Sequence, residues 1–187
     1  MKKILLASLT SGLLFIESLL ALPSQVIVMR HAEKPAVGNE LSTRGWERAA
    51  ALAPYLLRNH QLLKFGAPSV LIAAGQKRPT SSVRSIQTLQ PLARALNIKV
   101  QTQFKPDQYE EMVQYVKDNP SFQGRVVAIA WEHHSLPALV HALGVNPQPP
   151  HWSGDVFDRL WVVTYLPDGS VDFQDIPQRL LFGDSPN

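Results

Sequence analysis

Three short, wholly apolar runs constrain the fold of this chain more than any other feature. They are residues 26–29, 70–73 and 126–130, with the sequences VIVM, VLIA and VVAIA. Runs of this kind indicate strands buried on both faces, which is typical of parallel sheets covered by helices. Segments with apolar residues at helical spacing separate them. The alternation predicts a three-layer α/β/α sandwich with a mostly parallel central sheet.

Capping residues and prolines set the expected ends of the helices. Ser42 and Ser135 are candidate N-caps for the first and last helices, and Gly144 is the expected C-terminal stop of the last. The stretch at residues 80–82, Thr-Ser-Ser, offers caps for the second helix. Pro91 should kink or end that second helix, because proline removes a backbone donor and crowds the preceding turn.

The chain ends in a predicted β-hairpin. Residues 160–166 and 171–176 have strand character and flank a Pro-Asp-Gly turn, and one of the two strands is expected to join the sheet edge. Upstream, a third, shorter strand near residues 98–102 and a helix over residues 109–119 continue the alternation. We therefore expect a single domain over residues 22–187.

The first 21 residues have the pattern of a signal peptide. Lys2 and Lys3 precede an apolar run over residues 4–16, and cleavage is expected after Ala21. The alternative is an uncleaved membrane anchor over residues 4–22. Both place the domain outside the cytoplasm, so the expected location is periplasmic or secreted. Cleavage would leave the protein without a stable membrane insertion.

Composition and charge exclude several classes of function. The chain has no cysteine, which excludes thiol nucleophiles, disulfides and cysteine-based metal sites. Without residues 1–21 the net charge is +2, divided between −4 over residues 155–187 and +6 over residues 22–154. A mildly basic body suits a small anionic substrate. No run of basic residues with interleaved aromatics occurs, so nucleic acid is not an expected partner. The sequence does not indicate an oligomeric state.

Arginine and histidine side chains follow the predicted strands. Arg30 and His31 come directly after the first apolar run, His133 follows the third, and Arg84 stands near the start of the helix after the second. Ligands of open α/β sheets bind at the carboxyl ends of the strands, where these residues should meet. Arginine binds phosphate oxygens, and a neutral imidazole can attack phosphorus. Neighbouring cations should lower the pKa of His31 by repulsion, and a protonated His133 could hold phosphoryl oxygens.

These motifs resemble the histidine phosphatase superfamily, also called phosphoglycerate mutase-like proteins. The hallmark Arg-His-Gly-Glu appears as residues 30–33, with Ala32 in place of glycine. Further matching positions are Leu41, Ser42, Gly45, Arg48, Ala49, Arg84, Thr88 and His133. The resemblance implies that His31 is the nucleophile that becomes phosphorylated. It also implies that Arg30, Arg84 and His133 bind the phosphoryl group.

The proton donor for the leaving group is open. Glu132, beside His133, is a candidate acid, although it could instead orient a histidine or arginine. Glu110 is a second candidate, since many superfamily members keep a donor glutamate between the second arginine and second histidine. Glu111 and Asp107 lie in the same interval.

Several other residues have two interpretations. Arg78 is close enough in sequence to compete with Arg84, although only Arg84 has a threonine four residues on. His151 and Trp152 could form a rim of the pocket or pack on the core. Gly45, unfavourable in a first helical turn, suggests close packing against a strand or the Arg30-His31 turn.

Metal and serine chemistry are disfavoured. Candidate metal ligands are present at His31, Glu33, Glu132, His133 and His134, but the His-Glu-x-x-His zinc pattern is absent, as is Gly-x-Ser-x-Gly. No metal and no cofactor are therefore expected.

The leading interpretation is an exported phosphatase that hydrolyses phosphomonoesters through a phosphohistidine on His31. The alternatives are a non-catalytic phospho-ligand or protein-binding module on the same fold, or a protein phosphohistidine phosphatase. A mutase is less favoured, because a short chain has little room for the lids that exclude water.

Overall fold

A six-stranded mixed sheet forms the centre of residues 22–185, which are the residues that the computed structural model describes. In chain order the strands are β1 (Gln25–Arg30), β2 (Val70–Ala73), β3 (Val100–Gln101), β4 (Val126–Trp131), β5 (Arg159–Tyr165) and β6 (Val171–Pro177). They lie in the order β3-β2-β4-β1-β5-β6. Strands β1 to β4 are parallel, whereas β5 runs antiparallel to β1 and pairs with β6 as the predicted hairpin. The predicted signal peptide or anchor at residues 1–21 lies outside the described residues.

Helices cover both faces of the sheet, which confirms the predicted three-layer sandwich. The helices are α1 (Thr43–Arg58), α2 (Arg84–Leu96), α3 (Tyr109–Asp118) and α4 (Leu136–Ala142), with a 3-10 turn at Pro120–Phe122. Helices α1 and α2 pack on the face that carries Ile27 and Met29, and α3 and α4 on the face that carries Val26 and Val28. Successive residues of a strand point to opposite faces, so a run without polar residues serves both cores. None of the helices among residues 22–185 is long and apolar enough to cross a membrane.

The second helix departs from its predicted ends. Its N-cap is Val83, without a side-chain cap hydrogen bond, so the N-cap position expected within residues 80–82 is wrong, although Ser82 Oγ accepts from the Arg84 N–H at 3.3 Å. Pro91 lies inside the helix, which continues to Leu96. Leu89 and Leu92, both fully buried, hold this helix against the sheet. Their burial on either side of the proline outweighs the hydrogen bond that the ring removes, so the expected end at Pro91 is also wrong.

Candidate active site

The imidazole of His31 lies just beyond the carboxyl end of β1 and is held in one tautomer. The backbone N–H of His31 donates to the carbonyl of Trp131 at 3.0 Å, which connects His31 to the end of β4. Its Nδ1 lies 2.7 Å from the Ala32 carbonyl. A carbonyl can only accept, so Nδ1 carries the proton and Nε2 is left with its lone pair.

His31 is neutral at physiological pH. Burial, with smaller contributions from the charges of Arg30, Arg84 and His133, lowers its pKa to about 4 against the opposing hydrogen bond to Ala32. The direction agrees with the sequence-based expectation. The main cause is burial, since only 6% of the residue is exposed, and repulsion by cations is secondary.

A threonine fixes the turn that carries His31. The N–H of Ala32 donates to Thr88 Oγ1 at 2.9 Å, and that hydroxyl donates to the Arg84 carbonyl at 2.7 Å. The hydroxyl therefore connects the turn after β1 to the first turn of α2. The threonine four residues after Arg84 acquires a physical role that the sequence alone did not reveal.

Arg30 is a buried cation without a carboxylate partner. Its Nη1 donates to the carbonyls of Gly154 at 2.6 Å and Val156 at 2.9 Å, and its guanidinium carbon lies 3.7 Å from the centre of the Phe157 ring. Within residues 22–185, Nε is buried without a hydrogen-bond partner and Arg30 forms no salt bridge. Burial lowers the pKa of Arg30 to about 10, so it remains charged at neutral pH. A buried cation without a counter-ion favours the binding of an anion at this place.

Arg84 supplies the second cation. Its Nε donates to the Glu40 carbonyl at 2.9 Å and its Nη2 to the Gly38 carbonyl, so the loop after His31 holds the guanidinium in place. Its charge lowers the pKa of both Arg30 and His31, which places it at the same pocket. Arg78, by contrast, is exposed in the turn before α2.

His133 follows β4 and is half-buried at the same edge of the sheet. Burial and the charge of Arg30 lower its pKa to about 4, with smaller contributions from His134, His151 and Lys34. Burial, with the neighbouring cations as a second cause, therefore favours a neutral His133 in the protein without ligand, and its protonation on binding a phosphoryl group stays a prediction. A bound phosphoryl dianion would reverse this repulsion.

The candidate acids fall into two groups. Glu132 is half-buried, and its negative charge opposes the lowering of the Arg84 pKa by burial, which places its carboxylate near that guanidinium. Glu110 and Glu111 are exposed in the first turn of α3, where Glu110 accepts from the Tyr109 hydroxyl at 3.2 Å. Asp107 is exposed and pairs with Lys77. Among these candidates, Glu132 is thus the carboxylate that lies near Arg84.

An ion cluster that sequence reasoning missed lies behind the pocket. Arg48, only 3% exposed, donates to Glu33 at 2.8 Å and to Asp184 at 2.7 Å, and also to Gln178 at 3.1 Å. Arg44 joins the cluster from the surface at 3.2 Å from Glu33. Although burial opposes the shift, hydrogen bonds from Arg48 and backbone N–H groups lower the pKa of Asp184 to about 2. The only sequence feature that could have indicated this cluster is the net negative charge of residues 155–187, which include Asp184.

Close packing also explains Gly45. A Cβ on Gly45 would lie 2.3 Å from the Glu33 carbonyl oxygen, so only glycine fits there. This contact is to the loop directly after the Arg30-His31 turn, near one of the two places expected from the sequence.

The loop before β5 closes over the site. Trp152 is buried and packs edge to face against Trp161 with ring centres 4.6 Å apart, so it belongs to the core and not to a rim. His151 is exposed, and its charge contributes to the lowered pKa of His133, so it lies near the mouth of the pocket. In the described part of the chain, no three His, Asp or Glu side chains are grouped to hold a metal ion.

Comparison with known proteins identifies the fold. The sequence matches no protein-family model and no curated protein. The protein histidine phosphatase SixA complexed with tungstate is 19% identical and has a TM-score of 0.59, covering 82% of this chain and 97% of that one. The chain has the histidine phosphatase fold. A protein assigned as an alpha-ribazole-5'-P phosphatase from Escherichia coli is 12% identical, with a TM-score of 0.56 and coverage of 85% and 98%. Phosphoglycerate mutase from Bacillus anthracis is 11% identical, with a TM-score of 0.54 and coverage of 81% and 92%.

One departure from the histidine phosphatase motif has a structural explanation. Ala32, which replaces the usual glycine after the histidine, is fully buried in a small cluster with Leu41 and Ala49, against which Trp46 packs. Its methyl group fills space beside α1 while its N–H still bonds Thr88. The substitution therefore leaves the turn that carries His31 intact.

Proposed function

We propose that this chain is a phosphatase that hydrolyses phosphomonoesters through a phosphohistidine on His31. The observation that carries the proposal is the free Nε2 of a neutral imidazole beside two arginines without carboxylate partners among residues 22–185. The nucleophile is unprotonated, and the cations match a phosphoryl dianion. The likeness to phosphatases of this fold supports the same chemistry.

The reaction has two steps. In the first, the Nε2 lone pair of His31 forms a bond to phosphorus while the P–O bond to the leaving group breaks and its electron pair stays on the oxygen. A carboxylic acid donates a proton to that oxygen. In the second, water attacks phosphorus, the P–N bond breaks, and the carboxylate takes a proton from the water. Arg30, Arg84 and the N–H of His133 stabilise the phosphoryl oxygens in both transition states, and no step requires a metal.

Glu132 is our preferred proton donor, with Glu110 the alternative. The position of Glu132 near Arg84 supports this choice, since the acid must reach the oxygen bonded to the phosphoryl group. We expect Glu132→Gln to impair alkyl phosphate hydrolysis far more than aryl phosphate hydrolysis, because a phenolate leaves without full protonation. The matched variant Glu110→Gln should change neither rate. An effect of Glu110→Gln alone would reverse the assignment.

A second candidate is a protein phosphohistidine phosphatase. The likeness to SixA, which is a protein histidine phosphatase, favours it. The same pocket would then attack a phosphoramidate of a partner protein. A comparison of a phosphohistidine peptide with small phosphomonoesters separates the two, since the proposed function predicts higher kcat/KM for the small esters.

Export is part of the proposal. The lysine pair and apolar run of residues 1–21 support a cleaved signal that directs the domain to the periplasm or the medium. The mass of the protein purified from a bacterial cell fraction tests this, because cleavage after Ala21 gives a chain that begins at Leu22. A full-length chain in the membrane fraction would instead indicate an anchor.

The experiment that tests the activity uses an aryl phosphate with chelator present. We expect the wild-type protein to release phosphate, and His31→Ala to lose at least about 10⁴-fold in kcat/KM, as expected for removal of a nucleophile. His60→Ala, at an exposed histidine just after α1, is the matched control and should keep full activity. Hydrolysis that persists in His31→Ala would contradict the mechanism. Phosphate binding without turnover would favour the non-catalytic module.

A further inference from the structure

A preformed cleft adjoins the phosphoryl pocket on the side of α2 and α3. It has a volume of about 300 Å³ and is lined by Gly75, Lys77, Ser81, Ser82, Pro106 and Glu132. It meets the pocket at Arg84, since Ser82 Oγ accepts from Arg84 Nη1 at 3.4 Å and the charge of Glu132 acts on the same guanidinium. A phosphoryl group bound by Arg84 would therefore direct its ester oxygen and leaving group towards this cleft.

We infer that this cleft binds the leaving group and selects phosphomonoesters of polyhydroxylated alcohols, such as sugars and polyols. The inference rests on the proposed function and names its substrate class. It goes beyond the phosphoryl pocket, whose residues recognise only the group that is transferred.

One wall of the cleft is fixed to the sheet. Gly75 N donates to the Phe104 carbonyl at 2.8 Å, and a Cβ on Gly75 would lie 2.1 Å from the Thr102 carbonyl oxygen. The indole of Trp131 donates to the Pro106 carbonyl at 3.0 Å. The segment at residues 102–107 is thus held against the ends of β2 and β4.

The opposite wall is a turn with its own hydrogen bonds. Gln76 Nε2 donates to the carbonyls of Ser81 at 2.8 Å and Pro79 at 3.0 Å, and Arg78 N donates to Ser81 Oγ at 3.1 Å. Both walls are therefore ordered before any ligand arrives, which limits the entropy lost on binding.

The chemistry of the lining matches hydroxyl groups. Ser81 Oγ and Ser82 Oγ already accept hydrogen bonds, so each has its own proton to donate to a ligand. Glu132 can accept. At the mouth, Lys77 Nζ lies 3.0 Å from Asp107 Oδ2, and both side chains are at least half exposed. A surface pair of this kind is weak, so its ammonium and carboxylate can turn to a ligand.

Other leaving groups fit this lining less well. Its six residues include no aromatic ring on which an aryl group or a nucleobase could stack. Asp107 at the mouth would repel a second anionic group, and Lys77 would repel a cation. A neutral group that donates and accepts at several adjacent positions satisfies both signs of charge.

The test compares glucose 6-phosphate with phenyl phosphate in the full-length protein. The readout is the ratio of their kcat/KM values, which removes effects on the phosphoryl pocket that both substrates share. Ser81→Leu, which fills the cleft, and Lys77→Ala, which removes the ammonium, should each lower this ratio about tenfold, the effect of one lost hydrogen bond to a charged or fully enclosed group. Ser81→Ala removes the hydroxyl without filling the cleft, so it separates the two effects of Ser81→Leu. Lys99→Ala, at an exposed lysine outside the cleft, should leave the ratio unchanged.

The results distinguish failure of the cleft to bind the leaving group from absence of phosphatase activity. A ratio that is unchanged in both cleft variants, with phenyl phosphate still hydrolysed, overturns the inference and leaves the phosphatase standing. An equal fall for both substrates also overturns it, because the variants would then have damaged the shared pocket. Failure of the wild type to hydrolyse either substrate overturns the proposed function and the inference with it.

Discussion

Two buried arginines, Arg30 and Arg48, have opposite surroundings. Arg48 is 3% exposed and is bonded to Glu33, Asp184 and the amide of Gln178. Arg30 is 2% exposed, yet its partners are backbone carbonyls and the face of an aromatic ring. Burial disfavours the charge of both.

Their pKa values show which arginine is neutralised. For Arg48, burial is outweighed by hydrogen bonds from its guanidinium to Asp184 and Glu33, and its pKa is raised. For Arg30, burial prevails over the more distant charges of Asp155 and Glu33, and its pKa falls to about 10. A neutralised buried cation stabilises the fold, whereas one without a counter-ion is available to an anion that arrives later.

The two regions are adjacent, because Glu33 follows His31 by two residues. The ion cluster of Glu33, Arg48 and Asp184 therefore holds the C-terminal segment and the loop after His31 together.

The largest effect on stability should come from Arg48→Met. It leaves the carboxylates of Glu33 and Asp184 without their main partner, which should lower the free energy of unfolding by about 3–5 kcal/mol. Denaturant unfolding at pH 7 measures it. Arg44→Met, at a side chain that is 45% exposed, is the matched control and should lower it by about 1 kcal/mol or less. Equal losses would mean that the buried cluster is no more than a surface network.

Arg30→Met should affect activity more than stability. Loss of one charged donor to the phosphoryl group should reduce kcat/KM for an aryl phosphate by about 10²–10³-fold. The free energy of unfolding should fall by less than in Arg48→Met, because removal of a buried charge without a counter-ion offsets the loss of its hydrogen bonds to the Gly154 and Val156 carbonyls. If Arg30→Met lost as much unfolding free energy as Arg48→Met, both arginines would be stabilising the fold, and the difference between them would be refuted.

Oxyanion binding should distinguish the phosphoryl pocket from the ion cluster, with Arg30 representing the pocket and Arg44 the cluster. Tungstate at about 100 times its dissociation constant should stabilise the wild-type protein by about 2.7 kcal/mol. The stabilisation should persist in Arg44→Met and disappear in Arg30→Met. Thermal unfolding with and without tungstate provides the measurement. Stabilisation that is lost in Arg44→Met would move the anion site to the ion cluster.

The smallest effect should appear on acidification from pH 7 to pH 6. Unfolded His31 takes up a proton near pH 6.5, whereas the folded residue stays neutral down to about pH 4, so stability falls as the pH drops through this window. The loss from this residue should be about 1 kcal/mol or less over one pH unit. His31→Ala should show a correspondingly smaller loss.

The ion cluster responds to acid in a different window. The pKa of Asp184 is lowered from 3.8 to about 2, so its contribution is present above pH 3.8 and is lost only as the pH falls towards 2.

For the His31 prediction, an equal loss of unfolding free energy in the wild type and in His31→Ala between pH 7 and pH 6 would contradict the buried neutral state of His31.

Much of the fold could be predicted because it depends on local pattern. The apolar runs at residues 26–29, 70–73 and 126–130 are the three buried parallel strands, and the hairpin of β5 and β6 has the expected turn. Where tertiary packing opposes a local rule, prediction was wrong. Pro91 breaks no helix because the core contacts of α2 outweigh its lost hydrogen bond.

The candidate site divides in the same way. His31 and His133 could be placed because each follows a strand whose end the sheet topology fixes. The partnership of Arg48 with Asp184 spans 136 positions, and no local pattern encodes it. The lowered pKa of His133 depends first on its burial and then on which cations surround it, and a linear sequence does not show either.

Direct detection of the phosphohistidine tests the central claim. The protein is mixed with an aryl phosphate, quenched in alkali, which preserves phosphohistidine, and digested for peptide mass spectrometry. The account predicts one phosphoryl group on the peptide that contains His31, absent from His31→Ala and present in His60→Ala. A phosphoryl group on any other residue, formed equally in His31→Ala, would contradict it.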